Sequence, residues 1–432
     1  MGRFILKRKS ILKSLALALS ISLLAPLASR VNAEGTTVSN PEIVGEAAIV
    51  MDMDTNEVIY SKNADVKHSL ASTTKLLTAL LFAENKTKGD SIPFTEAAAK
   101  QPDASLNVNF KKMRVGDTLT GEDAMEALLI FSANDAAYMI AESVAGSVDN
   151  FANLMNERVA KLGLKDSHFV NPNGLEDTPT SYNYATPYDL AIIAKESFKN
   201  DWVRETLKPY NPAAKINITG STYILESRNK NLGKNGNIGG KTGTETQAGH
   251  CFVGFYERNG RNLVTVVLKS EYGADGTAVF KDTEKIADYG YSSEKQVYKK
   301  AGDEVGTVDL EYKVFRFFGP KKTITAPVKV SEDVMYYKND FNDKNSKIEY
   351  LNEDKNAWKL TGGKEVALTY SSLGHNEEVK GTVDVSTGEL LKANLGFYLA
   401  FILIVAIIAI LVLIIIRIVN MRKRRSRRRR RY

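Results

Sequence analysis

From Leu395 to Ile416 the chain reads LGFYLAFILIVAIIAILVLIII, without one charged side chain. Roughly twenty such residues are what a helix needs to cross the hydrocarbon of a bilayer. Hydrocarbon leaves a lone segment no other way to pair its backbone polar groups. The run therefore dictates one helix and divides the chain in two. After the run comes RIVNMRKRRSRRRRRY, and arginines packed next to a span mark its cytoplasmic side. The expectation is a single-pass protein of the cell membrane, with a transmembrane helix at 395–416 and a basic cytoplasmic tail at 417–432. The body before the span faces the outside.

The N-terminal end reads MGRFILKRKSILKSLALALSISLLAPLASRVNA. It starts basic, turns apolar from Leu15 to Leu27, and closes on small residues with Val31 and Ala33 placed for cleavage. That is the pattern of a signal peptide over residues 1–33. An uncleaved anchor is the competing reading, and the apolar run is short for one. These ends also explain the charge. The chain carries a formal +7, but ten Lys/Arg lie between Arg417 and Arg431 and six before Glu34, with no acidic residue in either segment. Without those sixteen the exported body is at −9. An arginine run suits nucleic acid too, but beside a span the anionic lipid leaflet is the simpler partner. No nucleic acid is expected.

Cys251 is the one cysteine, so no intrachain disulfide forms. A body of this length buries enough core to do without. Cys251 sits in GHCFVGFY and reads as a small buried hydrophobe rather than a reactive thiol.

Within the body, EAAIVMDMDTNEVIYSKN predicts a hairpin turning at Asp54-Thr55-Asn56. Apolar periodicity predicts helices over Thr73–Glu84, Glu122–Val144, Asp149–Leu162, Pro187–Phe198 and Ala278–Tyr289. GHCFVGFYERNGRNLVTVVLKS is a second hairpin with Asn259-Gly260 at its turn. Strands at both ends of a helical middle imply an α/β domain, residues 41–292, whose first and last strands share a sheet. From Ser293 on, TVDLEYKVFRFF, TITAPVKV, VMYYKN, EVALTY and EVKGTVDV alternate between turns. They imply a small all-β domain over 293–390, acting as a spacer or docking module.

Three short patterns carry the chemistry. Ser72-Thr73-Thr74-Lys75 fits S-x-x-K, as do Ser10/Lys13, Ser227/Lys230 and Ser292/Lys295. Only Ser72 opens an apolar helix, where i, i+3 spacing puts both side chains on one face. Ser132-Ala133-Asn134 fits S-x-N, as do Ser61/Asn63, Ser105/Asn107, Ser181/Asn183 and Ser227/Asn229. It interrupts the strongly apolar LLIFSANDAAYMI, where buried polar groups need partners. A helix N-cap is the competing explanation. Lys241-Thr242-Gly243 is the single K-T-G, and a phosphate loop is excluded because Asn235 stands where that motif needs glycine.

The order S-x-x-K, S-x-N, K-T-G, with gaps of about 57 and about 107 residues, is the set found in active-site serine penicillin-binding proteins and class A β-lactamases. From Pro41 to Tyr291 the sequence resembles the low-molecular-mass penicillin-binding proteins of the serine-type D-alanyl-D-alanine carboxypeptidase family. KLGLKDSHFVNPNGLEDT and ATPYDLAIIAK share in the resemblance. Leu70 stands where the family usually has proline, and Ala133 where it often has glycine. The anchor is a full span where many members use an amphipathic helix. The resemblance implies a serine β-lactamase/penicillin-binding-protein transpeptidase-like α/β fold. It implies peptidoglycan stem peptides as substrate, β-lactams as covalent inhibitors, and neither cofactor nor metal.

A serine hydroxyl attacks only when a base takes its proton. None of His68, His168, His250 and His375 falls in a His-based triad pattern. A lysine serves if desolvation and a second cation lower its pKa. So Ser72 is expected as nucleophile and Lys75 as base, with Lys241 as the second charge. By resemblance, Ser132 relays the proton, Asn134 holds the substrate amide, and Lys241 and Thr242 receive its carboxylate. Gly243 admits an extended peptide at the strand edge, and the backbone N–H groups of Ser72 and Thr244 form the oxyanion hole. A β-lactamase would need an E-x-x-L-N glutamate. Glu176 is the nearest candidate, in the wrong context. An endopeptidase or transpeptidase on the same fold also competes with the carboxypeptidase reading, as does an inactive wall-binding protein.

Overall fold

The computed structural model describes residues 39–429 except 177, 179, 209–212 and 352–354. The signal peptide read over residues 1–33 lies outside the described residues. One sheet organises the first part of the body. Its strands are β1 (Ala47–Asp52), β2 (Val58–Lys62), β3 (Asn237–Glu245), β4 (Gly249–Arg258) and β5 (Arg261–Ser270). Their order is β2-β1-β5-β4-β3, all antiparallel. The first strand thus lies between β2 and the last strand, as the sequence predicts. Asn259-Gly260 makes the tight β4–β5 turn, both residues at positive φ.

Every residue of β1 is buried, because helices cover both faces of the sheet. Successive side chains point to opposite faces. Ala47, Ile49 and Met51 join the core shared with α1 (Lys75–Asn85), α2 (Asn134–Ala145) and α3 (Pro187–Lys199). Ala48 and Val50 meet Val279, Phe280 and Ile286 of α4 (Ala278–Ser292). The single helix predicted over Glu122–Val144 is broken. A helix over Gly121–Glu126 widens into a π-type turn at Ala127–Phe131, stops at Ser132, and restarts as α2. A hairpin of Ala213–Ile218 and Ser221–Glu226, absent from the sequence expectation, precedes β3.

After α4 the chain forms a second sheet: β6 (Glu304–Lys313), β7 (Lys321–Val330), β8 (Lys347–Glu349), β9 (Glu365–Ser372) and β10 (His375–Val383), in the order β6-β7-β10-β9-β8. It has its own core around Leu310, Val328, Leu368 and Val383. Two details differ from expectation. VMYYKN leaves this sheet, since Val334–Tyr336 pairs with Gln296–Lys299. VFRFF is not strand: β6 ends at Lys313, and Gly319 at positive φ followed by Pro320 turns the chain. Last comes α5 (Leu395–Arg429), long and apolar enough to cross a membrane.

Asp282 of α4 ties Val44 and Gly45, just before β1, to this frame. Its buried carboxylate accepts from the backbone N–H groups of Val44 (3.0 Å) and Gly45 (2.9 Å). Asp282→Ala is expected to cost about 2–3 kcal/mol, because two amides lose a charged acceptor. Thermal unfolding should show a lower melting temperature, and Asp282→Asn, which keeps one acceptor oxygen, should recover most of it.

Candidate active site

Residues 75 to 82 of α1 are all buried, so this helix is enclosed on every side. A single turn, Ala71–Thr74, leads into it and sets Ser72 at its mouth. Thr73 Oγ1 donates to the Leu70 carbonyl at 2.6 Å, and Ala71 adopts a left-handed conformation. Lys75 Nζ, fully buried, lies 2.8 Å from Ser72 Oγ, 2.9 Å from Asn134 Oδ1 and 2.8 Å from the carbonyl oxygen of Asn173. Asn134 Nδ2 donates to the Asp103 carbonyl at 2.9 Å, which turns its amide oxygen toward the lysine. Burial first, and the Arg228 guanidinium second, lower the Lys75 pKa to about 7.

The broken helix has its reason here. Ser132 sits in left-handed backbone (φ 73°), and its Oγ accepts from Lys241 Nζ at 2.8 Å. No side chain caps the start of α2, so the N-cap explanation for Ser-Ala-Asn does not hold. Lys241 is itself buried and also donates to the Thr242 carbonyl at 2.9 Å. Burial pushes its pKa well down, and Lys75 and Arg228 add to this. Ala71, Ala104 and Ser132 are three non-glycine residues at positive φ around one site. Such strain persists only where surrounding structure imposes it, and it gathers at functional sites.

Ser72, Ser132, Asn134, Thr242, Gly243 and Thr244 line one cleft of about 660 Å³. The two lysines stand behind this wall, and Arg228 is a cation that faces the cleft. Sequence reasoning missed Arg228, which no motif flags. Its guanidinium stacks 4.8 Å from the ring of Phe131, next to Ser132. It missed Asn173 as well, whose backbone oxygen holds Lys75. The available signal was the NPNG in the segment that carries the resemblance. Gly174 there has φ 87°, and a Cβ on it would lie 1.8 Å from the Ala71 carbonyl oxygen. Gly243 is likewise demanded from inside: a Cβ would come within 3.0 Å of Leu70 O, Ala71 Cβ and Ser72 N. β3 is an edge strand, so its outer side is open to an extended peptide.

Glu176 is engaged elsewhere. Its carboxylate accepts from the backbone N–H groups of Gln247 and Ala248 (3.0–3.1 Å) and from Ser69 Oγ at 3.1 Å. It clamps the β3–β4 turn to the strand before Ser72. Cys251 is buried, its thiol pushed up to about 12, in keeping with an inert hydrophobe.

The profile of the family described as D-alanyl-D-alanine carboxypeptidase matches residues 34–271. The chain is 26% identical over 284 residues to D-alanyl-D-alanine carboxypeptidase DacF of Bacillus subtilis, covering 66% of this chain and 71% of that one. It is 30% identical over 264 residues to a D-alanyl-D-alanine endopeptidase of Escherichia coli, covering 59% and 80%. Among solved structures, penicillin-binding protein D2 of Listeria monocytogenes in its cefotaxime-bound form superposes with a TM-score of 0.52 at 30% identity, over 59% of this chain and 99% of that one. With a profile match across more than half its length and the serine–lysine site assembled in space, the chain belongs to the D-alanyl-D-alanine carboxypeptidase family.

Proposed function

We propose that this protein is a serine-type D-Ala-D-Ala carboxypeptidase, which removes the terminal D-Ala from peptidoglycan stem peptides through an acyl-enzyme and is acylated by β-lactams. The observation that carries the reading is the buried Lys75 amine, 2.8 Å from a serine hydroxyl at the mouth of the cleft. Asn134 Oδ1 and Asn173 O can only accept, so they take two N–H bonds of Lys75. A neutral amine then keeps its lone pair for the Ser72 hydroxyl. Ser72 Oγ attacks the penultimate D-Ala carbonyl carbon as its proton passes to Lys75. The backbone N–H groups of Ser72 and Thr244 receive the oxyanion, a contribution of about 3–4 kcal/mol per donor. Collapse breaks the peptide C–N bond, and the leaving amine takes a proton through Ser132. Water then releases the acyl group from Ser72.

The free carboxylate of the substrate meets Thr242 and Arg228 on the cleft wall, with Lys241 one layer behind. Asn134 holds the substrate amide. The engaged Glu176 argues against a class A β-lactamase. The assembled Ser72, Lys75, Ser132 and Lys241 argue against a dead wall-binding site. The span at 395–416 anchors the protein with its cleft outside the cell, its tail toward the anionic cytoplasmic leaflet, after loss of residues 1–33. Residues 41–292 act as the peptidase domain and 293–390 as its all-β support.

Labelled penicillin is expected to attach to the wild-type protein and not to Ser72→Ala. Attachment that persists in the variant would remove Ser72 from the mechanism.

Raising pH increases the neutral fraction of an amine with pKa of about 7. Acylation should therefore climb with pH through neutrality and level off above it. Lys75→Arg, which cannot deprotonate, should be slower by about 10²–10⁴-fold. A flat pH profile would count against Lys75.

Carboxylate recognition is tested with a stem peptide amidated at its C-terminus. A charge-assisted hydrogen bond contributes about 1.5–3 kcal/mol, so the amide should lose about one to two orders of magnitude in kcat/KM. Thr242→Val should narrow that gap. Equal rates for acid and amide would favour the endopeptidase reading, which the Escherichia coli relative represents.

A further inference from the structure

The turn between β6 and β7 exposes two large aromatic side chains in succession. Phe317 is 77% exposed and Phe318 54%. Gly319 and Pro320 make the reversal, and Phe315 N–H donates to the Phe318 carbonyl at 3.1 Å. The turn does not stand alone, because it packs on the start of α5. Phe315 meets Tyr398 and Phe401 with ring centroids 5.1 Å away in each case, and Phe318 meets Phe401 at 6.2 Å. The Tyr398 hydroxyl donates to the Val314 carbonyl. Asn394, buried just before the helix, donates to the Tyr312 hydroxyl at 2.8 Å and pins the helix start to β6.

Depth follows from arithmetic. The uncharged run rises about 33 Å at 1.5 Å per residue, against a hydrocarbon core of about 30 Å. Phe401 lies about 9 Å along the axis from Leu395. A turn that touches Phe401 therefore reaches the membrane boundary. Its charge fits as well. Arg316, Lys321 and Lys322 flank the aromatic tip, in a body that is net acidic overall. Lys322 Nζ sits 4.7 Å from the Phe397 ring, at the headgroup level of the helix, and Glu311 is 3.8 Å from Lys321. Aromatic rings with basic side chains at their edge are what the bilayer interface selects.

We propose that the Val314–Pro320 turn is a second membrane contact: Phe317 and Phe318 enter the leaflet that α5 enters first, and Arg316, Lys321 and Lys322 pair with anionic phospholipid headgroups. This rests on the reading of Leu395–Ile416 as a span. Two contacts fix the tilt and rotation of the body above the membrane, which one helix leaves free.

The test uses the full chain in phospholipid vesicles, with an environment-sensitive dye on Phe317→Cys, Phe318→Cys or, as a reference inside the span, Ile408→Cys. Cys251 is buried and does not compete for label. Penicillin labelling of each variant reports an intact active site. Quenching of the 317 and 318 dyes by a shallow lipid-borne quencher, with protection from aqueous iodide, is expected, as is quenching at 408 by a deep one. If 408 is quenched from the lipid while 317 and 318 answer only to iodide, the turn does not enter the bilayer and the proposal fails, with the span intact. If 408 too answers only to iodide, the span reading fails and takes the proposal with it. Protection from both quenchers that vanishes on dilution into excess lipid would assign the turn to self-association instead. Adding phosphatidylglycerol to phosphatidylcholine vesicles should deepen the dyes, and Arg316→Glu with Lys321→Glu should abolish that gain. An unchanged gain in the double variant would overturn the headgroup contact.

Discussion

One amine in the wrong solvent organises the catalytic half of this molecule. A lysine side chain at full burial is costly when charged, and it is tolerated when its hydrogen-bonding capacity is met and its proton is easily lost. Lys75 reaches that state only because three separate segments converge on it: Ser72 from its own helix mouth, Asn134 from the start of α2, and the Asn173 carbonyl from a glycine-shaped loop. Each segment is then held by further bonds. Asp135 accepts from the N–H groups of Leu106 and Asn107 (2.9 and 2.8 Å), which locks the residues flanking Asn134. Asn183 Nδ2 donates to Thr74 Oγ1 at 3.1 Å and ties the loop to the helix. The break in the helix before α2 is part of the same demand. A continuous helix would carry Ser132 and Asn134 away from the two amines.

The second lysine repeats the arrangement at one remove. Lys241 is buried against Ser132, and burial, Lys75 and Arg228 lower its pKa, while the second cation acting on Lys75 is Arg228 rather than the expected Lys241. Ser72–Lys75 on one side and Ser132–Lys241 on the other are thus two hydrogen-bonded pairs, each at 2.8 Å. Arg228 stays charged throughout. It is therefore a standing positive charge at the cleft, beside two lysines whose pKa values burial lowers.

Much of this is legible in the chain. The unbroken apolar run Ala47–Met51, the Asn259-Gly260 turn and the apolar run after Lys75 specify the sheet and its central helix by local rules alone. The motif residues are legible as residue types in a fixed order. Asn173 is not legible as a lysine partner, because the group that binds is a backbone carbonyl, which every residue has. Arg228 is not, because its place depends on the hairpin before it, whose alternation is clear in one strand only, at Ala214, Ile216 and Ile218. The helix expected over Glu122–Val144 runs too far, because the apolar pattern continues on both sides of Ser132. VFRFF reads as strand because it alternates. What stops it is Gly319-Pro320, whose chemistry outranks the alternation of the residues before it.

The segment after α4 meets the first sheet at the β1–β2 turn and at β2. Asn342 Nδ2 donates to the Val58 carbonyl at 2.7 Å, His375 Nδ1 lies 2.9 Å from the Thr55 carbonyl, and Lys295 pairs with Glu57 at 2.6 Å. These contacts fall at the β2 edge of the first sheet, while the K-T-G strand β3 is the opposite edge. Four strand spacings, about 19 Å, separate the two. An enzyme that binds an extended peptide by strand addition needs one free edge, and an exposed free edge invites pairing with other chains. The module's contacts fall at β2, and β3 keeps its free edge. The helix that is long and apolar enough to cross a membrane leaves that module, not the edge that lines the cleft.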